Sequence, residues 1–200
     1  MPISHKHKFK FIHIPKTGGS SIEVVFDLQH KDNLFVPSFT NEIQGVKFAP
    51  QHFTHKLINY FKPECKNYFS FVLVRNPYNR IISEYFYINK NFENNLITEF
   101  SEDHFNKWLD ESLIKFNVDH KLPQTTFLDI PVDKVLKLEN IEKDWRELNK
   151  ILGTDYKLIH DNKSNINKKD IVNSLNKKTK EKIYKIFKDD FKQLNYENNI

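Results

Sequence analysis

The segment Tyr68–Val74, YFSFVLV, is an almost unbroken apolar run and the strongest strand signal in the chain. A run without polar alternation suits a parallel strand covered on both faces. A second β-rich stretch, Lys8–Ile14 (KFKFIHI), stops at Pro15, and a short strand is predicted near Lys134–Leu138. Between these segments the apolar period becomes helical. Ile22, Val25 and Phe26 predict a helix over Ser20–Leu28, and Phe53, Leu57, Ile58 and Phe61 predict one over Gln51–Phe61. Ile81, Ile82, Tyr85 and Phe86 mark a helix from Pro77 to about Ile88, with proline suited to its first turn. Further helices are predicted near residues 102–115 and 141–152, with a closing one around Lys177–Phe191. Residues 30–50 carry two prolines and no clear period, as a surface excursion would.

Strands alternating with helices through short turns give an α/β fold with a mostly parallel central sheet flanked by helices. No repeat and no Pro/Gly/Ser linker interrupts the chain, so residues 1–200 are expected to form a single domain. A hydrophobic content of 38% is globular rather than disordered, and 18 Phe imply a Phe-, Ile- and Leu-rich core. The net charge of +5 invites a polyanionic partner, but 28 Lys against three Arg is a bias spread along the whole chain. No nucleic-acid-binding motif accompanies it, so a nucleic-acid partner is not expected. One cysteine, Cys65, excludes an intramolecular disulfide and a Cys-based zinc site, and its place after Pro63 predicts a surface or half-buried thiol. No stretch has the length of a signal peptide or a membrane span, so the expectation is a soluble, cytoplasmic protein.

Three segments carry chemistry. The first is His13–Ser21, HIPKTGGSS, between a predicted strand and a predicted helix. Gly18 and Gly19 allow a tight turn and close approach to an anion, and the following helix start offers unpaired N–H groups. Lys16 adds a point charge; Thr17, Ser20 and Ser21 add hydroxyls. The order differs from the nucleotide-triphosphatase loop, in which Lys follows the glycines and a hydroxyl holds Mg²⁺. Here Lys16 precedes the glycines, and Tyr68–Val74 has no Asp to hold a metal, so an anion handled without metal is expected.

The second is VRNPYNRIISEY, residues 74–85, in which two of the three arginines fall. Arg75 stands at the C-terminal end of the buried strand, where ligands bind in open α/β sheets, and a forked donor suits phosphate. Ser83 lies on the second turn of the next helix and faces the same anion in this reading. For Arg80, ligand contact and an i,i+4 pair with Glu84 are equally open. The third is QHFTH, residues 51–55. His52 and His55 would share a helix face, but no third ligand stands nearby in sequence, so zinc is not expected. With an anion loop in hand, a hydroxyl acceptor needs a base, and histidine has a suitable pKa.

HIPKTGGSS, QHFT and FVLVRNPYNRIISEY together resemble the sulfotransferases of the carbohydrate-modifying type, relatives of the chondroitin, dermatan and heparan 2-O enzymes, which use 3′-phosphoadenosine-5′-phosphosulfate (PAPS). The likeness continues, in the family's order, through His120–Gln124 (HKLPQ), Leu138–Asp144 (LENIEKD), Asn162-Lys163-Ser164 and Tyr184…Asp190-Phe191…Tyr196. The resemblance implies a P-loop-like strand-loop-helix in which Pro15, Lys16, Thr17, Gly18, Gly19, Ser20 and Ser21 bind the 5′-phosphosulfate. It implies that Arg75 and Ser83 hold the 3′-phosphate and that a loop with Asn162 and Ser164 closes near the nucleotide. His52 matches the family's base position and His55 does not. Gln124 matches a family position without an assigned role. The implied reaction moves a sulfuryl group from PAPS to a hydroxyl-bearing acceptor, a glycan, releasing 3′-phosphoadenosine-5′-phosphate. A membrane anchor and stem like those of the Golgi members is absent from the sequence given. Two other readings stay open: a catalytically silent relative that binds a nucleotide or glycan, and a small P-loop kinase.

Overall fold

The structure, a computed structural model, describes residues 1–28, 41–43, 45–92, 99–113, 118–159 and 167–198. They fall into two compact units: residues 1–75 with 117–163, and residues 76–116 with 164–200.

The first unit holds a four-stranded sheet in the order β1 (Ile3–Ser4), β2 (Phe9–Ile12), β5 (Phe69–Val74), β6 (Lys134–Lys137). β2, β5 and β6 run parallel, with Ile12 opposite Val72 and Val74 opposite Lys137; β1 is antiparallel to β2. The sheet is thus mixed but mostly parallel, as the strand patterns predict. β1, in the polar N-terminal stretch, is an element that hydrophobic periodicity does not flag.

Alternation along the strands sends Phe9, Phe11, Phe71, Leu73 and Leu136 to one face. There they form a core with Ile22 and Phe26, of or adjoining α1 (Gly19–Val25), and with Ile141, Trp145 and Leu148 of α5 (Ile141–Leu152). The opposite face carries Lys10, whose buried ammonium donates to Asn59 Oδ1 at 2.7 Å and to the Lys66 carbonyl at 2.9 Å. Asn59 belongs to α2 (His55–Phe61), so a polar tether joins that helix to the strand, beside the fully buried Ile58 of the same helix. Part of the 30–50 excursion is regular: β3 (Asn41–Ile43) and β4 (Val46–Phe48) form an antiparallel pair.

In the second unit, α3 (Pro77–Phe92), α4 (Glu102–Leu113), α6 (Lys168–Ser174), α7 (Lys177–Ile186) and α8 (Lys188–Gln193) surround their own core. Tyr78, Ile81, Ile82, Tyr85, Phe105 and Trp108 lie at its centre. The closing helix expected over Lys177–Phe191 is two helices, broken at Phe187 (φ −110°, ψ 30°), whose ring is buried in this core.

Two further local expectations are corrected. Gln51–Phe61 is not one helix: a 3₁₀ turn, Pro50–His52, gives way to extended Phe53 and Thr54, and Thr54 caps α2 by accepting the Leu57 N–H. His52 and His55 therefore share no helix face. Cys65 is fully buried rather than exposed or half-buried, and burial pushes its thiol pKa up.

Candidate active site

The parallel strands β2 and β5 deliver their C-terminal ends to one edge of the sheet. After Ile12 the chain passes through His13 and Ile14 into Pro15–Ser21. Two residues there are left-handed, Lys16 at φ 66° and Gly18 at φ 94°. Glycine takes that conformation freely, whereas for lysine it costs on the order of 1–3 kcal/mol, a kind of strain that clusters at functional sites. Thr17 is turned inward, its hydroxyl donating to the Ile14 carbonyl at 2.9 Å, which staples the loop to the strand it leaves. Gly19 is required by space: a Cβ there would stand 2.3 Å from His13 Cδ2.

The His13 ring that fills this space is buried, its Nδ1 2.7 Å from Glu23 Oε1 on α1. The other oxygen of Glu23 accepts from Gln51 Nε2 at 2.6 Å. A buried carboxylate needs such donors to offset its lost hydration. His13 also meets the His52 ring edge to face, centroids 5.0 Å apart, and His52 in turn meets His120 at 5.1 Å.

His52 is buried, with Nδ1 3.0 Å from Asp119 Oδ2. Asp119 also accepts the Ala49 N–H on Oδ2 and the His120 N–H on Oδ1, both at 2.8 Å. Burial pushes the His52 pKa down to about 4, against the pull of the Asp119 hydrogen bond and with a further push from His13. For Asp119 burial acts upward, but the hydrogen bond and charge of His52, the Ala49 N–H and His120 outweigh it and hold the acid below its usual value. At neutral pH the pair is a neutral imidazole on a carboxylate. If Nδ1–H is given to Asp119, the ring's lone pair is on Nε2.

The same residues are the candidates for a cation. Among the described residues, His52, Asp119 and His120 each bring one ligand atom within 4.8 Å of the others. Of the pair considered from the sequence only His52 takes part, and both other ligands come from a segment distant in sequence. Ligation through His52 Nδ1 would displace its proton and its bond to Asp119.

At the end of β5, Arg75 is half-buried, and its Nη1 donates to the Lys16 carbonyl at 3.3 Å. Its backbone is held on both sides by one buried side chain: Arg75 N–H donates to Gln124 Oε1 at 2.9 Å, and Gln124 Nε2 donates to the Arg75 carbonyl at 2.8 Å.

A glycine-shaped loop, a carboxylate-anchored imidazole and an arginine thus meet at the C-terminal edge of a parallel sheet. The model of the sulfotransferase family matches residues 1–197. The chain belongs to the sulfotransferase family. Comparison with curated proteins and with solved structures found no match.

In this sulfotransferase the loop residues Pro15–Ser21, His52 and Arg75 fall in one unit, and their neighbours are those just described. Ser83 is buried on α3 in the second unit. Arg80 is buried there too, its guanidinium carbon 6.0 Å from the centroid of the Phe187 ring. Asn162 and Ser164 lie outside the described residues. His55 turns Nδ1 to the Ile130 carbonyl at 3.2 Å and is absent from the His52 group. Among the described residues no helix is long and apolar enough to cross a membrane.

Two residues of the site lie outside the segments singled out in the sequence, Glu23 and Asp119, while Gln51 and Gln124 stand inside quoted motifs but without these contacts. Glu23 carries one usable signal, a charged residue next to Ile22 on an otherwise apolar helix face. Asp119 carries none, because its meaning comes from a partner distant in sequence.

Proposed function

We propose that this sulfotransferase moves a sulfuryl group from PAPS to a hydroxyl of a carbohydrate, with His52 as general base and no metal. The observation that carries the reading is the His13 ring, which packs against Gly19 of the loop and against His52. An anion loop and a proton acceptor are thereby one side chain apart, as in-line transfer from a bound phosphosulfate requires. The acceptor class rests on the motif series shared with the carbohydrate-modifying enzymes. The family match runs across both units, in keeping with one functional domain over residues 1–200.

In the proposed step the acceptor oxygen forms a bond to sulfur as the bond from sulfur to the bridging phosphate oxygen breaks. The hydroxyl proton goes to His52 Nε2, and the bond's electron pair stays on the departing 3′-phosphoadenosine-5′-phosphate. Lys16 stabilises that growing charge, and the N–H groups of Gly18, Gly19 and Ser20 stabilise the equatorial sulfuryl oxygens, the Ser21 N–H being given to the Gly18 carbonyl. Arg75 holds the 3′-phosphate.

Calorimetric binding of 3′-phosphoadenosine-5′-phosphate and of ADP, with EDTA present, tests the donor assignment. The bisphosphate is expected to bind in the micromolar range and ADP much more weakly; equal binding, or binding only with Mg²⁺, would favour a kinase. Arg75→Ala is expected to weaken the bisphosphate by about 1.5–3 kcal/mol, the worth of a charge-assisted hydrogen bond. Unchanged affinity in that variant would remove Arg75 from the site.

The pH profile tests the base. Because burial holds the His52 pKa down to about 4, kcat/KM is expected to stay flat through neutral pH and to fall only as pH approaches that value. An acid limb near the ordinary histidine value of about 6.5 would point to a solvated base instead.

A further inference from the structure

We infer that Gln124 is a positioning residue that sets the direction of the Arg75 guanidinium and, through it, the preference for a 3′-phosphorylated nucleotide. The inference rests on the assignment of Arg75 to the 3′-phosphate.

Arg75 is the first residue beyond β5, where ladder hydrogen bonds to β6 stop with the pair Val74–Lys137. Gln124 takes over at that point. Its amide accepts from Arg75 N and donates to Arg75 O, at 2.9 and 2.8 Å, as a facing strand residue would in an antiparallel hydrogen-bonded pair. One planar group must supply both a donor and an acceptor, which the primary amides of Asn and Gln do whatever the pH, and Asn is shorter by one methylene. Gln124 is fully buried, so neither bond is readily exchanged for water. Its own backbone opens a 3₁₀ turn, Gln124–Leu128, directly after Pro123 at φ −54°, so the amide extends from a fixed point.

The clamp reaches the loop through Arg75, whose Nη1 donates to the carbonyl of left-handed Lys16. Gln124, Arg75 and Lys16 therefore form one hydrogen-bonded chain from the 3₁₀ turn to the anion loop. A guanidinium recognises phosphate through a rigid fork, and its value depends on direction as much as on charge. Fixing both backbone polar groups of Arg75 removes the freedom that would misdirect the fork.

The test compares adenosine 3′,5′-bisphosphate with adenosine 5′-monophosphate by calorimetry on the full chain, with melting temperature recorded for each variant. Gln124→Met keeps side-chain length and loses both hydrogen bonds. It is expected to lower the bisphosphate preference about tenfold while monophosphate affinity holds. In an Arg75→Ala background the same substitution is expected to change neither affinity, because no fork remains to be aimed. A purely structural role would lower the melting temperature and leave the preference intact, and that result would overturn the inference. Loss of preference in Arg75→Ala alone, with Gln124→Met like wild type, would also reject it and leave the Arg75 reading standing. No preference in the wild type would instead remove the donor assignment on which the inference rests. Should Gln124→Met fail to fold, Gln124→Glu, which keeps the acceptor for Arg75 N but sets an oxygen against Arg75 O, is read by the same ratio.

Discussion

His52→Ala is expected to lower turnover by about 10²–10⁴-fold, the usual worth of a general base, while affinity for 3′-phosphoadenosine-5′-phosphate changes little. The separation follows from the site's layout. His52 meets His13, His120 and Asp119, whereas the nucleotide is assigned to Pro15–Ser21 and Arg75. Asp119→Asn makes a finer test, because it preserves shape. The two oxygens of Asp119 serve three donors: Ala49 N–H, His120 N–H and His52 Nδ1. Asparagine has one oxygen, so at least one of the three then faces an NH₂ group. If that one is His52, the ring takes the other tautomer and Nε2 carries the proton it should accept. Turnover in Asp119→Asn is expected to approach that of His52→Ala, and the double variant to be no slower than His52→Ala alone. Steady-state kinetics decide this, and full activity in His52→Ala would dismiss it as the base.

Gly19→Ala is expected to be nearly as damaging, for a steric reason with a built-in control. The new Cβ would meet His13 Cδ2 at 2.3 Å and Nε2 at 2.4 Å, both too close to persist. His13 has little room to yield, since it is bonded to Glu23 and packed on His52 and Phe11. The loop backbone must then move, and a shift of about 1 Å in a reacting geometry can cost 10²-fold in rate. Adding His13→Ala opens the space, so Gly19→Ala/His13→Ala is expected to bind nucleotide better than Gly19→Ala alone, although Glu23 then loses its His13 partner and keeps Gln51. Calorimetry on the four proteins of the cycle reads the coupling. Wild-type binding in the single variant would mean that the loop does not need a glycine there.

The legible parts of this molecule are those whose signal is local. Phe69–Val74 reads as a buried parallel strand from its own side chains, and Ile141–Leu152 as a helix from its own period. HIPKTGGSS reads as a tight strand-to-helix loop because strand end and glycines are contiguous. The breaks are illegible where a distant contact decides them. Phe187 interrupts what looks like one helix because its ring is used by the core of the second unit. Cys65 follows a proline in a polar stretch, yet it is buried. Asp119 precedes a recognisable motif without belonging to a period, and only the fold brings it to His52. Likewise Gln124 stands in a motif, but its work on Arg75 spans 49 residues.

The division of the chain into units also orders events during synthesis. The first unit combines residues 1–75 with 117–163, and the second combines 76–116 with 164–200. Emerging from a ribosome, the N-terminal half can build β2 and β5, but β6 and α5, which complete the first unit's sheet and core, are translated after most of the second unit's opening segment. That segment in turn waits for α6, α7 and α8. Neither core can close before its later segment, 117–163 or 164–200, has been made, so apolar surface of each unit stays open while the intervening residues are translated, and open apolar surface favours misassociation.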